Sequence, residues 1–164
     1  NSSPETMKEL LIVKEAVEKA EFDDYNKYDK EFTDDFHSLA EEYGVSISLG
    51  KIKSLSKEVG RLTHYFKFKF NRPRPQQLAE VLGIEIKHQT TVTGTTPAYP
   101  SGHAAQGRFV ALYLSSKIPT CKEEFMKLAD RVAYSRIQGG VHYPSDSTAG
   151  KQLADILFRN FNDI

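Results

Sequence analysis

The sequence predicts an all-α fold, a single-domain helical bundle of about six or more helices that takes in residues 1–164. Along most of the chain, apolar residues recur three and four positions apart, which is the spacing of one face of an α-helix. Proline and glycine interrupt this pattern between the apolar stretches. A chain of 164 residues with 39% hydrophobic residues is long enough to bury one core, and domain sizes favour a single domain.

Three helices are predicted in the first seventy residues. The first covers residues 6–20. The second covers residues 30–43 and ends at Gly44. The third covers about residues 54–70 and stops before Pro73. The helical spacing predicts core-facing positions at Leu10, Val13, Val17 and Ala20, then at Phe32, Phe36, Leu39 and Ala40, and then at Leu55, Val59, Leu62, Tyr65 and Phe66.

The stretch from residue 71 to residue 99 breaks the helical pattern. A short helix is predicted over residues 76–82. Residues 84–96 are rich in β-branched side chains, and they are predicted to form an extended loop or a small hairpin.

Three more helices are predicted to close the chain. The first follows Ser101 and runs to about residue 116. The second begins at Thr120, an N-cap that Glu123 would complete as a capping box, and it ends at the glycine pair 139–140. The third begins near Pro144 and runs to about residue 161. Their predicted core-facing residues are Ala105, Phe109, Leu112 and Tyr113, then Phe125, Leu128, Ala129, Val132 and Ala133, and then Ala149, Leu153, Ile156 and Leu157.

Composition and charge narrow the classes of function. Lys plus Arg and Asp plus Glu both total 22, so the formal net charge of zero gives no whole-molecule electrostatic case for nucleic acid. The sole cysteine, Cys121, rules out an intrachain disulfide. No apolar run approaches the roughly 18–20 residues of a membrane span. The start at Asn1 shows neither a signal-peptide core nor an initiator Met, so a periplasmic or secreted location after signal removal and a cytoplasmic one both stay open.

Arg136 is the first residue that breaks an apolar stripe. It continues the positions of Ala129 and Ala133, so the helix directs a cation towards the interior. A buried charge is expensive unless it meets a counter-charge or an anionic ligand. The alternative is that the aliphatic stem of Arg136 lets its charge reach the surface at the helix end.

His142 and Asp146 follow shortly after Arg136. With Pro144 at the first helical position, Asp146 falls in the first turn, and its carboxylate can reach back to His142. A carboxylate on one ring nitrogen fixes the tautomer and leaves the other nitrogen basic, which suits a nucleophile. The alternative is that Asp146 only caps the helix.

Ser101, Gly102 and His103 form a second group at the start of a predicted helix. The backbone N–H groups of Ser101 and Gly102 would be unpaired there and could bind phosphate oxygens. His103 lies in the first turn, where its ring could reach the same ligand. Taken alone, a serine such as Ser101 is more often just an N-cap, and a histidine such as His103 is more often a surface residue.

A third group is the basic run of residues 67–75. Two prolines flank Arg74 and make its backbone rigid, which suits a guanidinium that binds an oxyanion. Lys69 and Arg72 are predicted to lie on a solvated face. One lysine and one arginine from this run, together with Arg136, would neutralise a phosphate dianion.

Together the three groups resemble the signature of the type 2 phosphatidic acid phosphatase superfamily. The matching patterns run in the family order without a substitution: Lys67-x6-Arg74-Pro75, Pro100-Ser101-Gly102-His103, and Ser135-Arg136-x5-His142-x3-Asp146. They span about half of the chain, and the first sixty residues carry no signature. The superfamily includes soluble bacterial class A acid phosphatases, membrane lipid-phosphate phosphatases and vanadium haloperoxidases. Residues 99–103 most resemble the soluble class A non-specific acid phosphatases.

The resemblance implies an acid-phosphatase-like helical domain over residues 1–164 that hydrolyses phosphate monoesters through a phosphohistidine, with no metal and no other cofactor. His142 would attack phosphorus, Asp146 would orient it, and His103 would act as general acid and then as base. The implied phosphate-binding residues are Lys67, Arg74, Ser101, Gly102 and Arg136. The implied partner is a small soluble phosphomonoester, and a homo-oligomer stays open. Residues 84–96 are expected to border the pocket.

Other functions stay open as alternatives. A metal site built from His103, His142 and Asp146 is disfavoured, because three cations at the same pocket would repel Zn²⁺ or Mg²⁺. A Ser101 nucleophile lacks the strand-turn-helix element that such serines use. A vanadate-dependent haloperoxidase would oxidise bromide, and a non-catalytic phosphate-binding module would bind without turnover.

Overall fold

The computed structural model describes residues 3–161, and within that range it contains helices and no strand. The prediction of an all-α bundle of six or more helices is therefore confirmed. The α-helices, in chain order, are α1 (Pro4–Glu18), α2 (Asp23–Tyr28), α3 (Thr33–Glu42), α4 (Leu49–Phe70), α5 (Pro75–Val81), α6 (Gly102–Lys117), α7 (Lys122–Gln138) and α8 (Pro144–Arg159).

Helix α6 lies at the centre of the bundle, and it packs against α4, α7 and α8. The larger apolar cluster surrounds it and takes in α3 as well, with Phe36 and Val132 fully buried. A smaller cluster joins α1 and α5 to the segment just before α8 through Leu10, Leu78 and Tyr143. His142 is adjacent to a residue of the smaller cluster, whereas the start of α6 belongs to the larger one. The two clusters therefore fix the two predicted histidines from different sides.

The buried face of α4 differs from the predicted one. Leu62 and Tyr65 were predicted to be core-facing, but they are 46% and 67% exposed. The face that turns inward instead consists of Ile52, Leu55, Ser56, Val59, Thr63 and Lys67. Apolar and aromatic residues lie on both faces of the second half of α4, so helical spacing alone could not identify the inward one.

One helix was missed and two helix starts were wrong. Helix α4 begins at Leu49, earlier than the predicted start near residue 54. The short helix α2 was not predicted, because six residues are too few to show an apolar period. Helix α7 does not begin at Thr120. Pro119–Cys121 form a 3-10 turn, and the predicted capping box is absent because Glu123 pairs with Lys127 instead.

Residues 84–96 form neither a helix nor a hairpin strand. Ile84 and Ile86 pack against the smaller cluster, and the Thr90 carbonyl accepts a hydrogen bond from the Tyr25 hydroxyl. This confirms the extended-loop alternative. Near the end of the chain, Ala154 of α8 is buried, whereas Ile156, predicted to face the core, is 54% exposed.

Among residues 3–161, no helix is long and apolar enough to cross a membrane.

Candidate active site

The three predicted groups come together at one end of the bundle. Lys67 lies in the last turn of α4 and Arg136 in the last turn of α7, and both are buried. Arg74 immediately precedes α5, and Ser101 immediately precedes α6. Asp146 lies in the first turn of α8, two residues after its start. Helix ends thus supply most of the site, which is where backbone groups without helical partners are also available.

His142 and Asp146 are in direct contact, as predicted. His142 Nδ1 lies 3.2 Å from Asp146 Oδ2, and the same oxygen accepts the backbone N–H of Tyr143 at 2.9 Å. Both predicted roles of Asp146 are therefore present, since its carboxylate caps α8 and holds the histidine. An acceptor at Nδ1 places the ring proton on that nitrogen and leaves a lone pair on Nε2.

Arg72 was predicted to lie on a solvated face, and this prediction was wrong. Its Nη1 donates to Asp146 Oδ1 at 2.7 Å and to the Ser145 hydroxyl at 2.7 Å, and its Nη2 donates to Glu9 Oε2 at 2.9 Å. Its guanidinium also stacks over the Tyr143 ring, 3.9 Å from the ring centroid. The run of cations masked this role, because the partners of Arg72 lie more than sixty residues away in the sequence.

Burial raises the pKa of Asp146, and the charge and hydrogen bond of Arg72 together with the Tyr143 N–H act in the opposite direction. The three donors around the carboxylate all need an acceptor. Arg72 therefore favours the ionised form of Asp146, which is the form that can accept the proton of His142 Nδ1.

Arg74 lies against the other side of the His142 ring. Its Nη1 is 3.3 Å from His142 Nε2 and donates to the Val141 carbonyl at 2.9 Å, while its Nε donates to the Thr96 carbonyl at 2.8 Å. The Nε2 lone pair thus faces a guanidinium whose position is fixed by two carbonyl groups. An oxyanion at this point would meet both the cation and the ring nitrogen.

Lys67 is 4% exposed, and its Nζ donates to the Pro97 carbonyl at 2.7 Å. Burial and the charge of Arg74 lower its pKa from the ordinary 10.5 to about 7. A Cβ atom at Gly102 would lie 3.9 Å from Lys67 Cε, so the Gly102 backbone borders the lysine side chain. The charge of this ammonium therefore depends on pH near neutrality.

Ser101 joins two of the predicted groups. Its hydroxyl accepts the Ala104 N–H at 3.4 Å, as expected of an N-cap. Its backbone N–H was predicted to be unpaired, but this was wrong, because it donates to the Asp146 carbonyl at 2.9 Å. A side chain at Gly150 would collide with the Ser101 carbonyl, so the glycine allows α8 to approach the start of α6. This close approach brings the His103 and His142 segments together.

Arg136 is fully buried, as its place in the apolar stripe predicted. The alternative, in which its charge reaches the surface at the helix end, is wrong. Its Nη2 donates to Asp29 Oδ1 at 2.6 Å, and its guanidinium lies 4.6 Å from the centroid of the Tyr25 ring. The Thr91 and Thr93 hydroxyls lie 3.3 and 3.4 Å from the same Nη2. Within residues 3–161, Nε and Nη1 of Arg136 have no hydrogen-bond partner. Two buried donors of this cation thus remain available to an anion.

Both histidines are neutral in this environment. Burial, followed by the charges of Arg74, Lys67 and Arg136, lowers the pKa of His142 well below its ordinary value of 6.5. Burial and Arg136 lower the pKa of His103 to about 3, and the Asp29 carboxylate acts in the opposite direction. His103 is half-buried, with its ring centroid 5.7 Å from that of Phe32.

The sequence predicted the eight site residues that the structure brings together, but it did not predict three charged residues that hold them in place, one arginine and two acids. Arg72 was misassigned, and Glu9 and Asp29 belong to the first sixty residues, in which no signature was found. The buried cation at Arg136 was the available signal, because it required a counter-charge. It did not indicate which of the 22 acidic residues supplies that charge.

Comparison with known proteins agrees with the predicted family. Residues 54–157 match the PAP2 superfamily, and this range includes all eight predicted site residues. Non-specific acid phosphatases from Salmonella typhimurium (strain LT2) and Salmonella typhi are 34% and 33% identical to the chain over 67 residues. Each alignment covers 41% of this chain, and the chain spans only 27% of the length of either relative. Because the family match extends over more than half of its residues, this chain belongs to the PAP2 superfamily.

Proposed function

We propose that the protein hydrolyses phosphate monoesters without a metal ion, by attack of His142 Nε2 on phosphorus. The observation that carries the proposal is the fixed orientation of this ring. Asp146 holds Nδ1 at 3.2 Å, and Nε2 points at Arg74, one of three buried cations. A neutral imidazole with its free nitrogen directed at an anion-binding site is a competent nucleophile.

In the first step, the Nε2 lone pair forms a bond to phosphorus while the bond between phosphorus and the ester oxygen breaks. The leaving oxygen takes a proton from His103. The phosphorylated ring of His142 carries a formal positive charge, which the Asp146 carboxylate offsets. In the second step, water attacks phosphorus, His103 takes a proton from that water, and the P–N bond breaks to release phosphate.

The phosphate-binding role falls to Lys67, Arg74, Arg136, the Ser101 hydroxyl and the Gly102 N–H. Phosphoryl transfer requires mainly positioning and neutralisation of charge on three equatorial oxygens. Three buried cations near His142 suit this task, since their mutual repulsion is relieved when a dianion binds. The same charges would repel a divalent metal ion, which favours a metal-independent reaction.

His103 needs a proton before it can act as general acid, yet its pKa in the free protein is about 3. The charges of Arg136 and Lys67 contribute to this low value, and the negative charge of a bound phosphate group opposes them. Substrate binding therefore favours protonation of His103. Because a phosphate monoester itself takes up its second proton near pH 6, an acid-leaning optimum is expected.

Soluble phosphomonoesters are the proposed substrates. The two relatives described above are named non-specific acid phosphatases, and residues 99–103 support the same assignment. The Thr91–Thr96 segment lies beside Arg136 and Arg74, so it would contact the group attached to the phosphate.

The test is hydrolysis of p-nitrophenyl phosphate in excess EDTA by the parent protein, His142→Ala and a control, His64→Ala. His64 is an exposed histidine of α4 outside the site. We expect chelator-resistant turnover in the parent and the control, and a loss of at least about 10⁴-fold in His142→Ala at an unchanged melting temperature. Turnover that EDTA abolishes, or that survives in folded His142→Ala, would contradict the proposal.

A further inference from the structure

We propose that Asp29 is a positioning residue of the phosphate site. Its carboxylate holds Arg136 and the Thr91–Thr93 segment so that Nε and Nη1 of the arginine remain directed to phosphate oxygens. The inference rests on the proposed function, because it assigns Arg136 to phosphate binding. Asp29 lies outside the residues that match the family, 54–157.

The Asp29 carboxylate is buried and saturated with donors from two parts of the molecule. Oδ1 accepts from Arg136 Nη2 at 2.6 Å and from the Thr91 hydroxyl at 2.7 Å, and Oδ2 accepts the Val92 N–H at 3.0 Å. The Thr93 hydroxyl also donates to Oδ1 at 3.2 Å. One carboxylate thus connects the end of α2, the end of α7 and the loop before α6.

The position of this acid is locally unfavourable. Asp29 is the C-terminal cap of α2, where a negative charge is opposed by the helix dipole, and it is 6% exposed. Burial raises its pKa, but the hydrogen bonds from Val92 and Thr91 and the charge of Arg136 outweigh this, so that its pKa is lowered overall. The surroundings therefore keep Asp29 ionised, as an ion pair with Arg136 requires.

The pairing of Asp29 uses only one nitrogen of the guanidinium. Asp29 and the two threonine hydroxyls all contact Nη2, whereas Nε and Nη1 have no partner within residues 3–161. A buried ion pair that served stability alone would be expected to engage more of these donors, because an unmade buried hydrogen bond is costly. The guanidinium of Arg136 lies near Lys67, Arg74, His103 and His142, since its charge lowers the pKa of each of them.

Asp29 also faces His103. Its carboxylate and its backbone carbonyl both favour the protonated ring, whereas Arg136, Lys67 and burial oppose protonation. His142 is the remaining titratable neighbour. Loss of the Asp29 charge is therefore expected to lower the pKa of His103. The alkaline limb of the kcat profile, where His103 loses its proton, should then shift to lower pH, in addition to the misplacement of Arg136.

The experiment compares Asp29→Ala and Asp29→Asn with the control Asp24→Asn. Asp24 belongs to the same helix and also pairs with an arginine of α7, Arg131, but this pair is exposed. We expect Asp29→Ala to lower kcat/KM and vanadate affinity about 100-fold, and Asp29→Asn to lose about tenfold because the amide keeps one acceptor. The control should stay within about twofold of the parent.

A double variant tests whether Asp29 acts through the arginine. Asp29→Ala in an Arg136→Ala background should cost at most a few-fold more, because the group to be positioned has already been removed. Losses that multiply in the double variant would overturn the inference. Unchanged kcat/KM and vanadate affinity in folded Asp29→Asn would overturn it as well. Because Asp29→Asn retains the shape of the side chain, it provides the test if Asp29→Ala fails to fold.

Failure of the inference can be told apart from failure of the proposed function. If the parent protein and the folded Asp29 variants hydrolyse phosphate esters equally well, the proposed function stands and the inference about Asp29 is overturned. If the parent protein shows no turnover but binds vanadate in calorimetry, and Asp29→Asn weakens this binding, the proposed function is wrong and the inference about Asp29 is supported.

Discussion

The family-matching region, residues 54–157, and the N-terminal region, residues 3–53, make different contributions to the site. The matching region supplies the histidines and the cations Lys67, Arg74 and Arg136. The N-terminal region supplies Glu9, which holds Arg72, and Asp29, which holds Arg136. The groups proposed to contact phosphate thus come from one region, and two of the acids that orient the site come from the other.

This division follows from electrostatics. Three cations converging on a phosphate site repel one another and are costly to bury, so the fold needs fixed negative charge nearby. That charge must not occupy the place of the substrate. It is supplied by Glu9 of α1 and by Asp29, the C-cap of α2, and each acid contacts only Nη2 of its arginine.

After the loss of the His142 nucleophile, the largest effect is expected in the matching region at His103. His103→Ala should slow turnover by about 10²–10⁴-fold, because the leaving oxygen loses its proton donor. The loss should be greater for an alkyl phosphate than for p-nitrophenyl phosphate, since p-nitrophenolate leaves without protonation. Equal losses with the two substrates at an unchanged melting temperature would contradict the general-acid role.

An intermediate effect is expected where the two regions meet, at Arg72. Arg72→Ala leaves the buried Asp146 without its cation, so we expect a loss of about 3 kcal/mol of stability, or about 10 °C in melting temperature. Glu9→Gln should cost less, because Arg72 then keeps Asp146. A suitable control is Arg108→Ala, which breaks a half-exposed pair with Asp155.

Kinetics separate this role from simple stabilisation. In Arg72→Ala the carboxyl of Asp146 loses the interaction that opposes the effect of burial on its pKa, so this pKa should rise. Activity should then fall on the acid side of the pH profile, where Asp146 becomes protonated. An acid limb at the same pH in Arg72→Ala and Arg108→Ala would show that Arg72 does not act through Asp146.

The smallest effect is the pH dependence of phosphate binding through Lys67. With a pKa of about 7 in the free protein, Lys67 loses its charge as the pH rises, so orthophosphate affinity should fall by at most about tenfold per pH unit above 7. Lys67→Arg should flatten this decline, because the guanidinium stays charged. A steady affinity from pH 7 to 9 in the parent protein, measured by competitive inhibition, would contradict the assignment.

The lowered pKa of Lys67 also predicts that the stability of the phosphate-free protein depends on pH. Between pH 7 and the ordinary lysine pKa of 10.5, the unfolded chain binds a proton at Lys67 that the folded protein does not bind. The contribution of Lys67 to the free energy of unfolding should therefore rise with pH across this window, and Lys67→Met should remove that contribution. Thermal unfolding of both proteins at pH 7 and 9 measures the difference.

The sequence predicted the bundle best where helices are long. Helices α1, α6 and α7 matched their apolar periods, because three or more turns repeat the signal, whereas in α8 Ala154 is buried and the predicted Ile156 is exposed. It failed at α2, which has six residues, and on the inward face of α4, where Thr63 and Lys67 are buried but Tyr65 is exposed. Both polar residues are buried with a hydrogen-bond partner, since the Thr63 hydroxyl donates to the Val59 carbonyl and Lys67 Nζ donates to the Pro97 carbonyl, and hydropathy does not record such pairing.

For the site, the sequence alone determined which histidines and cations belong together, because their types and spacing in the region of residues 67–146 form a recognisable pattern. The contact of Asp146 with His142 followed from the place of Asp146 in the first turn of α8, from which its carboxylate reaches back to the residues just before the helix. Only the tertiary structure decided that Arg72 holds Asp146 and that Asp29 holds Arg136. These pairs join residues 74 and 107 positions apart, and any of 22 acids could have met a buried arginine. A local pattern fixes neighbours along one helix, whereas pairing between helices depends on how the whole bundle packs.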